Sequence, residues 1–461
     1  MVTYRLSSCQ KRHPQIRVHA GICSSQSSLL TVSEFLRRDF FGTKVNNNIS
    51  AAQANKKPYL HGTFAALKHY NYRLYFIGMT VSMMGTWMQT TAQGYFIYEL
   101  TNSTTYLGLV VFMGGISTWL FTLIGGAVAD RIPRRKLILS MQTSMMILAF
   151  ILGALTFSNA VQPWHLLVLA FLLGAANAFD VPARISFVLE LVAHDDMTNA
   201  IAWNSTVQNI ASLIGPSLAG FTYAAFGAAW CFTINGISFI AMIIALLLMR
   251  IEYAPQDIHS SKAFTDITEG IRYIFSSRLI LSLTGAIGLV NILCFGLLNL
   301  LPAWVTDVLH GDEVTNGLLF SARGFGALIC ALVLASLVKY KIRGKLWIIG
   351  FLVTPVALFI FALVRWIPLS LAMMVVIGWS LMMITNNANA MIQSEIPNAL
   401  RGRVTSFFVL VYNGAIPIGA LLGGVATQRV GAPITIIVSA VILLFFALVA
   451  WFFFPDIRRK T

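Results

Sequence analysis

From Leu74 to Phe454 the chain alternates twelve long apolar stretches with short polar connections. A helix needs roughly 20 mostly apolar residues to cross the hydrocarbon of a bilayer. The pattern predicts spans at about 74–98, 105–129, 136–158, 164–190, 199–226, 228–250, 278–305, 315–338, 345–364, 368–391, 403–428 and 432–454. Together they take up most of the chain after residue 73 and leave no room for a sizeable soluble domain. The expected fold class is therefore all-α and integral to the membrane, with twelve transmembrane helices.

Composition supports this. The chain is 57% hydrophobic and 11% charged, whereas a soluble globule carries about 25% charged residues. A net charge of +15 raises nucleic acid as a partner, so its distribution decides. Of 32 Lys and Arg, 11 lie in residues 1–73 and 18 in the C-terminal tail and every second loop, Arg184 among them; the other loops hold only Arg365 and Arg429, and Arg323 lies inside a span. This is the positive-inside asymmetry. It predicts both termini in the cytoplasm of a cell (inner or plasma) membrane and excludes nucleic-acid binding. Cys9, Cys23, Cys231, Cys294 and Cys330 have no metal-ligand spacing and read as small apolar filler.

Residues 1–65 form a basic segment rich in Ser and Asn, with no acid before Glu34. It reads as a disordered cytoplasmic tail or as sequence upstream of a later start, and superficially resembles an organelle transit peptide. Residues 66–250 and 278–454 each hold six spans, with a linker at 251–277 and a short tail at 455–461. In the linker, Phe264, Ile267, Ile271, Ile274 and Phe275 share one helical face, which predicts a helix lying at the cytoplasmic interface. The halves are related in sequence. Gly215 matches Gly419 and Gly220 matches Gly424, both 204 residues apart, while Glu190 and Glu395 lie 205 apart. Small residues let membrane helices approach closely, and the shared offset points to duplication, hence to two six-helix pseudo-repeats. In the fifth span Pro216 follows Gly215, so this segment reads equally as a hinge or as close packing.

One loop carries more specific information. The segment GGAVADRIPRRK, Gly125 to Lys136, sits between the second and third spans. Gly126, Asp130, Arg131, Arg135 and Lys136 fit the loop 2–3 motif of the major facilitator superfamily, which this chain resembles; Pro133 stands where the pattern has Gly. Three further segments, Asn71–Ser103, Leu172–Arg184 and Glu395–Val404, are similar to the bacterial branch of drug and siderophore efflux proteins. The resemblance implies secondary active transport by alternating access, with protons as the coupling ion and a monomer as the working form. It also implies a conformational latch in the outward-facing state, filled here by Asp130 and Arg134 with Asp180 as third partner. Independently, a carboxylate among guanidinium groups can form charge-assisted hydrogen bonds.

The resemblance further implies a central cavity lined by spans one, four, seven and ten. Their polar residues are mostly amides: Gln89 and Gln93 beside Trp87, Asn177, Asn291 and Asn299, and Asn387. Amides facing lipid cost free energy, so they are expected inside, as ligand contacts or as links between helices. Arg323, about two turns into span eight, is expected to snorkel, to pair with Glu99 or Asp307, or to contact substrate. No carboxylate is expected in mid-membrane, so a proton relay is not legible. The chain has no phosphate-binding glycine loop, metal cluster or nucleophile motif, which argues against an enzyme, a cofactor and ATP-driven transport. The expected function is export of a small amphipathic organic compound, drug-like or siderophore-like. The alternatives are an importer or facilitator, or a non-transporting membrane sensor on the same scaffold.

Overall fold

The computed structural model describes residues 62, 64–250, 272–337, 342–397 and 400–453. Among them the regular structure is helical. The helices are α1 (Tyr70–Thr101), α2 (Thr104–Ala129), α3 (Arg134–Phe157), α4 (Pro163–Glu190), α5 (Met197–Phe226) and α6 (Ala228–Leu248). A broken α7 follows, as α7a (Arg278–Leu298) and α7b (Leu301–Asp307). The remainder are α8 (Glu313–Leu337), α9 (Arg343–Leu363), α10 (Ile367–Glu395), α11 (Arg401–Val430) and α12 (Ala432–Phe453). Nearly all of the basic tail and the linker positions Phe264, Ile267 and Ile271 lie outside the described residues; in the described part of that predicted apolar face, Ile274 is buried and Phe275 exposed.

Ten of the helices are long and apolar enough to cross a membrane by length and composition. α1 and α5 fall outside that set because amides and hydroxyls such as Gln89, Gln93, Asn204 and Gln208 dilute their apolar character. The prediction of an unbroken seventh span needs correction. α7a passes through a π-turn at Asn291–Phe295 and stops at Leu298. Pro302, in the first turn of α7b, has no N–H with which to continue the ladder.

Within the first six helices α1 packs on α5 and α6, α2 on α4, and α3 on α4 and α6. Six helices later each contact recurs: α7 on α11 and α12, α8 on α10, α9 on α10 and α12. Two crossings, α2 with α11 and α5 with α8, join these sets. The paired glycines explain the recurrence. A Cβ on Gly215 would lie 2.6 Å from Trp87 Cβ in α1, and one on Gly419 would strike the Ile292 carbonyl in α7. A Cβ on Gly220 would meet the Glu313 carbonyl at the start of α8 at 2.7 Å, and one on Gly424 the Thr104 carbonyl at the start of α2 at 2.5 Å. Gly227 and Gly431, again 204 apart, turn the chain between α5 and α6 and between α11 and α12 at φ +85° and +84°. Side chains with a Cβ rarely adopt that backbone.

The same register relates α2 to α8 at an offset of 209 residues. Gly108 abuts Ala420 and Gly317 abuts Pro216; Gly115 abuts Pro417 and Gly324 abuts Leu213. At the α2–α4 crossing Gly174 meets Gly114, and at the α8–α10 crossing Gly378 meets Arg323. Between α2 and α11 contact persists down to Gly414 against Trp119. Beyond it, Gly126 and Gly402 have nothing within 4 Å of where a side chain would begin. The two helices thus meet near the face away from the basic loops and part toward the face that carries them.

Candidate functional site

Hydrogen bonds between the two sets of helices cluster at the closed face. The Tyr98 hydroxyl of α1 donates to Asp307 Oδ2 of α7b at 2.6 Å. Gln428 of α11 accepts from the Thr104 N–H at 2.9 Å and from the Ser103 hydroxyl at 3.0 Å. The Thr104 hydroxyl donates to the Gly424 carbonyl at 2.8 Å. Beside these, Tyr223 of α5 donates to Glu99 of α1. Asp312 accepts from the Thr315 N–H at 2.9 Å and from its hydroxyl at 2.7 Å, opening α8. Those two donors hold its carboxyl below the usual carboxylate range.

At the open face Asp130 is the exposed C-cap of α2, and Arg131 is exposed beyond it. Asp130 does not reach Arg134. Instead Arg134, opening α3, forms an ion pair with Glu190 at the end of α4. Arg135 Nη2 donates to the Leu247 carbonyl at 3.1 Å, satisfying the end of α6. Glu190 was readable in the sequence only as a repeat marker. Its spacing from Glu395 was the signal that it belongs to this mouth.

Two expectations about α4 are corrected. No carboxylate was expected in mid-membrane, yet Asp180 lies ten residues before the end of α4, about 15 Å at 1.5 Å per residue, and it is fully buried. Arg184, counted as a loop charge, is buried in the same helix. The two form an i,i+4 ion pair with Arg184 Nε 2.7 Å from Asp180 Oδ2, too far out of line for a hydrogen bond. Gln142 of α3 supplies the directional contacts, its Nε2 lying 3.2 and 3.3 Å from the two carboxylate oxygens. Arg184 Nη1 contacts Met79 Sδ at 3.0 Å, and the buried Tyr75 hydroxyl has no hydrogen-bond partner among the described residues.

The amides divide. Gln89 is buried and accepts from Asn235 Nδ2 of α6 at 2.6 Å, so it links α1 to α6 rather than pointing to a central space. Asn291 is buried and donates to the Tyr412 carbonyl of α11 at 2.8 Å. Asn177, Asn299 and Asn387 each donate to the carbonyl four residues earlier, and among the described residues no hydrogen bond reaches their side-chain oxygens. Gln93 is buried, and half-buried Trp87 packs where α1 meets Gly215.

Arg323 lies ten residues into α8, deeper than expected, and is half-buried. Both acids expected to pair with it are engaged elsewhere, Glu99 by Tyr223 and Asp307 by Tyr98. Its guanidinium sits 5.8 Å from the Phe295 ring centroid and 5.6 Å from that of Phe320. Among the described residues no group of three or more His, Cys, Asp or Glu is placed to hold a metal.

Comparison with known proteins adds to this geometry. The sequence pattern described as transmembrane secretion effector matches residues 61–458. The chain is 23% identical over 397 residues to the staphyloferrin A transporter of Staphylococcus aureus, covering 84% of this chain and 97% of that one. It is 27% identical to the enterobactin exporter EntS of Shigella flexneri, over 84% of this chain and 91% of that one. It is 24% identical to the multidrug efflux pump Tap of Mycolicibacterium fortuitum, over 81% and 93%. Among solved structures, a mutant of the nucleoside transporter NupG superposes with a TM-score of 0.67 at 16% identity, covering 85% of this chain and 99% of the other.

Proposed function

The chain belongs to the transmembrane secretion effector family, and from that membership we propose that it exports a small amphipathic organic compound by alternating access. It is a multi-pass membrane protein and a secondary transporter of the major facilitator type, not an enzyme. Similarity to two siderophore transporters and a drug pump supports the cargo class.

The observation that carries the proposal is the one-sided closure: Tyr98 bonds to Asp307 on one face while Gly126 and Gly402 stand open on the other. With the basic loops in the cytoplasm, as the positive-inside asymmetry favours, both termini are cytoplasmic and the cleft opens inward. Asp130, without an ion pair among the described residues, engages when the inner face closes. The Arg134–Glu190 pair then holds the mouth of α3 and α4 in position. Gly126 allows α2 to approach its neighbour at that moment. The paired glycines Gly215, Gly220, Gly419 and Gly424 keep the helix crossings tight while the halves, residues 66–250 and 278–454, rock against each other. Protons drive the cycle, and Asp180, buried beside Arg184, is the carboxylate best placed to carry one. The protein works as a monomer in the cell (inner or plasma) membrane.

The test compares cells overexpressing the wild type with cells overexpressing Asp130→Asn. Untargeted mass spectrometry of medium and cell extract is combined with a panel of toxic compounds. A compound enriched outside, or a resistance gained, with the wild type and reduced with the variant at equal membrane levels is the expected result. Accumulation inside the cells reverses the direction. No difference between wild-type and empty cells on any arm rejects transport.

A further inference from the structure

We propose that Arg323 is an anion-binding residue of the transport cleft and that the cargo is an amphipathic organic anion, with a carboxylate or similar paired-oxygen group seated on this guanidinium. The proposal rests on the transport reading above and narrows its substrate class. Three observations carry it.

Architecture does not call for the charge. Arg323 marks the point where α8 crosses α10 at Gly378, and the matching crossing of α2 and α4 is made by Gly114 and Gly174. Two backbones pass there with no side chain at all, so the guanidinium is an addition to a crossing that closes without it.

No counter-charge is built in. Ten residues into α8, Arg323 makes no ion pair among the described residues. Glu99 and Asp307 are held by tyrosines. By contrast the other arginine deep in a helix, Arg184, has its own carboxylate four residues away. Ionisable groups within a membrane bundle face its interior or a water-filled cavity and normally carry a partner. At Arg323 the missing partner is the position a substrate anion would take.

The setting is specific to a planar fork. The π-turn Asn291–Phe295 of α7 sets the Phe295 ring against Arg323, and π-turns recur at functional sites. Phe320 flanks the guanidinium from its own helix, and Asn291, which opens the π-turn, is tied to the Tyr412 carbonyl of α11. Aromatic faces hold a guanidinium in plane while leaving its N–H edge free. That edge matches two oxygens of one carboxylate bidentately.

The experiment uses the full-length purified protein in nanodiscs and three probes of one shape: 2-naphthoate, the neutral 2-naphthamide, and the cationic 2-naphthylmethylammonium. Binding is read by calorimetry. Wild type is expected to prefer the naphthoate over the amide at least tenfold and over the cation by more. Arg323→Gln brings the naphthoate-to-amide ratio to about one, and Arg323→Lys leaves an intermediate ratio, since a point charge lacks the fork. Melting temperatures within a few degrees of wild type show that both variants are folded. A wild type that binds naphthoate no better than the amide, or not measurably, overturns the proposal, as does a preference that survives Arg323→Gln. Failure of this kind alongside the export phenotype described above leaves transport standing and removes only the anionic cargo.

Discussion

The Tyr98–Asp307 bond joins α1 to α7b across the closed face, so it exists only while that face is shut. Replacing Tyr98 with Phe removes the hydroxyl and little else. A hydrogen bond to a charged acceptor contributes about 1.5–3 kcal/mol. The lower figure applies here, because water solvates both groups once the face opens. About 1.5 kcal/mol is roughly a tenfold change in an equilibrium constant. If the structure's conformation holds 99% of the population, Tyr98→Phe lowers it to about 90%, and a more even starting balance shifts further. Nitroxides at Ile132→Cys and Gly402→Cys report the change, since both residues flank the open mouth and are exposed. The five native cysteines are first replaced. Pulsed electron resonance should then show a shorter distance growing about tenfold relative to the long one in Tyr98→Phe. Asp307→Asn, which keeps an acceptor oxygen, should give a smaller shift. An unchanged distance distribution in Tyr98→Phe would refute the assignment of this bond as a gate.

Other outcomes follow from the packing. Gly424→Ala forces a Cβ to within 2.5 Å of the Thr104 carbonyl and should cost about 1–3 kcal/mol as overpacking, whereas Gly285→Ala meets nothing within 4 Å and should leave thermal stability and transport unchanged; equal melting temperatures for the two would contradict the close-packing account. Asp180→Asn leaves Arg184 buried without its carboxylate and should destabilise by about 3–5 kcal/mol. The double change Asp180→Asn with Arg184→Gln should recover most of that in an unfolding titration, yet still abolish any dependence of transport on a pH gradient. Asp312→Ala removes the cap of α8 and should cost about 1 kcal/mol. Because its folded pKa is depressed, the Asp312 contribution is fully present above the unfolded value of about 3.9 and is lost as pH falls through the folded pKa. The wild-type advantage over Asp312→Ala in melting temperature should therefore shrink only in acid.

The helices were legible because crossing a bilayer demands long apolar runs, and composition alone registers them. The paired glycines were legible because a steric limit on backbone approach leaves one residue type possible. Side-chain partners were not legible for a different reason. Asp130 and Arg134 are four apart, but α2 ends at one and α3 begins at the other, so helical spacing says nothing about their contact. Asp180 and Arg184 have the same spacing inside α4, where it does bring them together; assigning Arg184 to a loop hid that signal. Gln89 and Gln93 share a helix, but which neighbour Gln89 meets depends on how α1 is rotated against α6. That rotation is set by packing over the whole helix, not by the residues around position 89.

Taken together, the positions divide into those that repeat and those that do not. Gly108, Gly115, Gly174, Gly215 and Gly220 each have a glycine counterpart in the other half, 204 or 209 residues away, against the matching helix. Alternating access explains why, since the crossings α2–α11 and α5–α8 exchange roles between the inward and outward states and must slide on equivalent surfaces. The buried charges obey no such rule. The positions 204 residues beyond Asp180 and Arg184 are Ile384 and Ala388, and the position 209 before Arg323 is Gly114. On the proposed reading this separates the tasks: a proton-carrying pair in the first half and an anion-binding arginine in the second, each free to diverge because no crossing needs these side chains to close. Substitutions at the paired glycines should then disturb both conformations alike. Substitutions at Asp180 or Arg323 should instead uncouple one ligand from a rocking motion that still occurs.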